Sequence, residues 1–67
     1  MNYIKRIEET GAKVVDKGAT LYIELPTTVR GMRDLMLILL ERPTPDEVHL
    51  RDCEGLEPGN TLRVWWD

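Results

Sequence analysis

The chain has 67 residues, with 12 acidic and 9 basic side chains and a net charge of −3. That length leaves room for a single domain, and the acidic balance argues against a phosphate-binding protein, which needs a basic excess or stripe. Apolar residues make up 42% and charged residues 31%, the composition of a globular chain rather than a disordered one.

A chain this short buries only roughly 60% of its unfolded surface, so small domains usually need added support. Cys53 is the only cysteine, so no intrachain disulfide supplies it. No closely spaced Cys/His set offers a zinc staple either. Idealised packing remains, or burial of apolar surface against a second copy or another protein. Residues Met1 to Gly11 lack the apolar core of a signal peptide. The longest apolar run, Leu35 to Leu40, is too short to span a membrane. A lone thiol without a leader fits a cytoplasmic gene product that is complete as it stands.

Residues 2–10 fit a short helix. Tyr3, Ile4 and Ile7 fall at helical spacing, Asn2 can cap the start, and Gly11 can end it. A strand with Tyr3, Lys5 and Ile7 on one face is the other option. Residues 12–25 read as a β-hairpin. Val14 and Val15 favour a strand, and Asp16-Lys17-Gly18 signals the turn. Leu21, Ile23 and Leu25 then alternate with Thr20, Tyr22 and Glu24, as on a sheet with one buried face.

Residues 28–42 form the clearest element, a helix capped by Thr27 or Thr28 and stopped before Pro43. Val29, Met32, Leu35, Met36, Leu39 and Leu40 make one apolar arc, expected to face the core. Residues 47–52 alternate again, with Val48 and Leu50 inward and His49 and Arg51 outward. Glu57-Pro58-Gly59-Asn60 is a turn. Residues 61–66 are the last strand, with Leu62, Val64 and Trp66 on one face and Thr61, Arg63 and Trp65 on the other.

The pattern predicts an α+β fold of order (α)ββαββ. It is a two-layer sandwich in which one long helix covers one face of a mostly antiparallel, four-stranded sheet. The ββαββ order resembles the β-grasp arrangement of ubiquitin-like and sulfur-carrier proteins. Sulfur-carrier chemistry requires a C-terminal Gly-Gly. The sequence ends Trp65-Trp66-Asp67, so that activity is not expected.

Catalytic signatures are weak. His49 and Cys53 are four residues apart, a spacing that helps on a helix but not in the strand expected here. Asp46, His49, Asp52 and Cys53 lack the pairing of a zinc site. Glu8-Glu9 and Asp52-Glu54 fall in charged or turn-rich stretches. Gly55 and Gly59 flank a turn without a following helix to hold an anion. No enzyme activity, metal or cofactor is expected.

Two surfaces stand out instead. On a helical wheel Leu37 falls in the middle of the polar face and Ile38 on its flank beside Gly31, so the stretch from Leu35 to Leu40 is apolar all round. That marks a second interface or a single exposed leucine. Gly31 fits a close backbone approach or a tolerant first turn. Trp65 and Trp66 point to opposite faces. Trp66 belongs under the helix, and Trp65 on the open face with Arg63 and Tyr22, residue types common in binding hot spots. The sequence therefore predicts a non-catalytic protein-interaction module, an inhibitor, adaptor or regulatory subunit, contacting another protein or a second copy through Leu37, Ile38, Trp65, Arg63 and Tyr22. A nucleic-acid binder stacking bases on Tyr22 and Trp65 is the alternative.

Overall fold

The computed structural model describes residues 3–66. Two helices and four strands follow the order α1 (Tyr3–Glu8), β1 (Lys13–Lys17), β2 (Thr20–Glu24), α2 (Val29–Leu39), β3 (Glu47–Leu50) and β4 (Thr61–Trp65). The strands form one sheet in the order β1-β2-β4-β3, and every neighbouring pair is antiparallel. The last strand thus lies inside the sheet, and β1 and β3 form its edges.

Local chemistry sets the element ends. Residues 2–10 are helical over Tyr3–Glu8, while the Asn2 cap lies outside the described residues. The Thr10 hydroxyl donates to the Ile7 carbonyl at 2.6 Å. Gly11, at φ 96°, then takes the left-handed conformation that ends the helix. The β1–β2 hairpin turns at Gly18-Ala19. Gly18 has φ 77° and no described non-glycine residue has positive φ, the pattern of a type II′ turn. The Gly18 N–H also donates to the Asp16 carboxylate at 3.0 Å.

The α2 helix starts where Thr28 Oγ1 accepts from the Gly31 N–H at 3.0 Å. It ends earlier than residue 42. The Glu41 N–H bonds to the Ile38 carbonyl, a tightened three-residue turn, and the Arg42–Pro43 peptide is cis. Pro43 has no N–H to extend the ladder. β3 likewise stops at Leu50 rather than residue 52. Its chain turns into a loop tied down by Gly59 N–H to Asp52 (2.8 Å) and Glu57 N–H to Glu24 (2.8 Å).

The antiparallel register decides what lies on each face, because directly opposed residues share a side. One inner row runs Val14–Ile23–Leu62–Leu50, and the next runs Asp16–Leu21–Val64–Val48. Burial along both rows peaks in the middle: Ile23 and Val64 are fully buried, whereas Leu50 is 70% exposed and Val48 46%. The core joins Ile7 of α1, Ala12, Leu21 and Ile23, Leu35 and Ile38 of α2, and Val64. β3 contributes nothing to it. Val48 and Leu50 do point to the inner side as their alternation predicted, but no helix reaches over them.

Trp66 closes the other end. Its indole N–H donates to the Pro43 carbonyl at 2.9 Å. Its ring meets Tyr3 edge-on at 5.5 Å, a favourable aromatic geometry. The Tyr3 hydroxyl is buried without a hydrogen-bond partner among the described residues, and burial pushes its pKa up. An unsatisfied buried hydroxyl costs about 1–3 kcal/mol. Tyr3→Phe keeps the ring contact and should raise the urea unfolding midpoint. It should also reduce the loss of stability above pH 10. A folded-state pKa raised above the unfolded value favours folding at low pH, and this contribution disappears as pH rises past the unfolded pKa. A lower midpoint for Tyr3→Phe would show that the hydroxyl has found a partner.

Candidate functional site: an apolar groove between α2 and β3

A helix normally turns its apolar arc toward the core, but α2 does not. Its buried residues are Gly31, Leu35 and Ile38, centred about 100° around the axis from the centre of the six-residue arc in the sequence. The reason lies in α1, which packs beside α2 and places Ile7 in the shared core. Glycine at position 31 lets the Thr10 carbonyl approach so closely that a Cβ there would sit 2.3 Å from it. An ion pair reinforces this contact. The Arg6 guanidinium grips the Glu41 carboxylate through both nitrogens, and this raises the Arg6 pKa further.

Turning that side inward turns the rest of the arc outward. Val29 is 90% exposed, Leu40 70%, Met36 58% and Leu37 56%. These side chains border two adjoining hollows that share Met32, Met36 and Leu40. One, of about 560 Å³, runs along the exposed side of α2 from Pro26 past Val29 to Leu37 and Leu40. The other, of about 440 Å³, lies between α2 and the sheet, floored by Leu25 and Leu62 and walled by Pro45 and Val48. Together they form one apolar groove along the helix, over the uncovered part of the sheet. Contiguous exposed apolar surface of this kind marks an interaction site.

The residues expected to bind a partner separate into three places. Leu37 lies on the groove wall. Ile38 does not belong to any surface. It is 7% exposed and sits in the core, a correction that follows from the rotation of α2. Tyr22, Arg63 and Trp65 share the open face, as their alternation predicted. Tyr22 opposes Arg63, while Trp65 lies between Thr20 and Glu47. Lys17 lies 5.6 Å over the Tyr22 ring. Glu47 bonds His49 at 2.9 Å and lies 3.8 Å from Arg63. All three predicted residues are half-buried, and their charges are largely matched within the chain.

The sequence pattern turns Val29, Met36, Leu40, Val48 and Leu50 all inward, and the exposure of each overturns that expectation for the core. The available signal was the width of the apolar arc, which exceeds what one core contact can bury. Candidate chemistry elsewhere stays dispersed. Cys53 Sγ donates to the neighbouring Glu54 carbonyl, at 3.6 Å. Among the described residues no three His, Cys, Asp or Glu side chains gather as a metal centre requires. Among the same residues no helix is long and apolar enough to cross a membrane.

No protein-family model, no curated protein and no solved structure matches this chain.

Proposed function

We propose that this chain is a small protein-interaction module that seats part of a larger partner in the α2–β3 groove, as an inhibitor, adaptor or regulatory subunit. The observation that carries this reading is the outward aim of α2's widest apolar surface, continuous with the bare inner face of β3. A two-layer fold with one incomplete layer gains burial when a partner completes it. The role is one of occupancy, without a catalytic step, in a reducing cytoplasm.

The open face supports a second, weaker reading, a single-stranded nucleic acid stacked on Tyr22 and Trp65. It gathers aromatics and Arg63, but Glu24 and Glu47 answer Lys13 and Arg63 on the same face, and this reduces its pull on phosphate.

The test is affinity capture from a native extract with the wild type, the Met36→Glu/Leu40→Glu double variant and Trp65→Ala. Met36 and Leu40 are exposed, so carboxylates there should change stability by no more than about 0.5 kcal/mol each. The double variant should lose a specific protein that the wild type retains, by tenfold or more, while Trp65→Ala keeps it. Equal capture by wild type and double variant would refute the groove. Loss with Trp65→Ala alone would move the site to the open face.

A further inference from the structure

The charges around the groove indicate what it takes. The chain is acidic overall, yet the charged side chains bordering the groove and its continuation past Leu40 are Arg33 and Arg42. Arg30 follows on the same flank of α2, next to Leu37. Among the described residues Arg33 pairs with its neighbour Asp34, at 3.2 Å. Arg30 and Arg42 form no ion pair among the described residues. The nearby carboxylate of Glu41 turns to Arg6 on the α1 side, and that of Glu47 to the open face. The rim is therefore basic on a protein that is not.

The groove's shape points to a helix. It runs alongside α2, over the part of the sheet that no helix covers. A third helix packed 8–10 Å from α2 would complete the layer. Laying an amphipathic helix into an apolar groove is an established mode of peptide recognition. A second copy fits less well. A two-fold axis beside Met36 would set the arginine-edged rim of one copy against the same rim of the other, and like charges there oppose association.

We propose that the groove binds an amphipathic helix whose apolar stripe is flanked by acidic residues. This rests on the reading of the groove as a protein-binding surface. The Leu- and Met-lined floor takes the stripe from Met32 to Leu40, and the arginines pair with the flanking carboxylates.

The experiment uses two synthetic helical peptides of about four turns, one turn longer than the 11-residue α2. They carry the same leucine stripe, one flanked by glutamates and the other by lysines. Each is titrated into the full chain at low salt, where such pairing is least screened, and followed by backbone amide NMR. The glutamate peptide should bind at least tenfold more tightly and shift the amides of Met32, Met36, Leu40 and Val48. The Arg33→Glu/Arg42→Glu variant should reverse the preference. Equal affinity for the two peptides at the groove would overturn the acidic partner but leave the groove as a protein site. Shifts confined to Tyr22, Arg63 and Trp65 would overturn both. If neither peptide binds, the proposal falls, and light scattering across a dilution series decides the reading beneath it. A dimer dissociated by Met36→Glu gives the groove to a second copy, whereas a monomer leaves it without a protein partner.

Discussion

Gly31→Ala should destabilise the protein by about 2–3 kcal/mol, even though alanine is the better helix former by about 1 kcal/mol. The added Cβ would lie 2.3 Å from the Thr10 carbonyl oxygen, 2.9 Å from Pro26 Cβ and 3.0 Å from Thr28 Oγ1. The first neighbour is backbone and cannot rotate aside. Thr10 is also fixed by its own bonds, its N–H and its hydroxyl both donating to Ile7. Relief requires α1 and α2 to separate, which loosens Ile7 against Ile38. The third neighbour is the hydroxyl that caps α2, and disturbing a cap costs about 1 kcal/mol more. For a domain whose total stability is about 0.05–0.15 kcal/mol per residue, this is a large fraction. Urea unfolding of the two proteins measures it. An alanine variant as stable as the wild type would mean that the helices do not approach this closely.

The second large effect separates two adjacent residues. Ile38→Ala should cost about 2–4 kcal/mol, as truncation of a buried isoleucine does, whereas Leu37→Ala should change stability by less than about 0.5 kcal/mol. Ile38 is 7% exposed and packs in the core; Leu37 is 56% exposed on the groove wall. The comparison reports the rotation of α2 directly. If Ile38→Ala were as mild as Leu37→Ala, the sequence's own apolar arc would face the core and the groove would not exist. The same pair separates stability from binding. Leu37→Ala should weaken partner capture in a protein that unfolds like the wild type.

Local signals fixed much of the molecule. The alternation of Leu21, Ile23, Leu62 and Val64 put the right residues on the inner face, because a strand's side chains can only alternate. Gly18 and the Pro58-Gly59 pair marked the turns, since each supplies a backbone angle that other residues resist. Thr28 and Pro43 bracketed α2 by chemistry contained in a few neighbouring residues. The placing of Tyr22, Arg63 and Trp65 on one face also followed from alternation alone.

The site was not legible in this way. Periodicity measures how wide a helix's apolar arc is, but not which part of it meets the core when the arc is wider than one contact. That choice fell to α1. Thr10's carbonyl fits against Gly31, Ile7 packs into the core beside Ile38, and Arg6 holds Glu41, so the Gly31–Leu35–Ile38 side turned inward and Met36 and Leu40 turned out. The position of β3 was equally hidden, because strand order depends on pairing between residues far apart in the chain. Only with β3 at the sheet edge do Val48 and Leu50 lie beyond the reach of both helices. The sequence by itself determined the elements from residue 12 onward, their turns and the two sides of each strand, because those depend on neighbouring residues, but it left residues 2–10 open between helix and strand. The tertiary structure decided which apolar side chains are core and which are groove, because that depends on where two helices come to rest on a sheet wider than they cover.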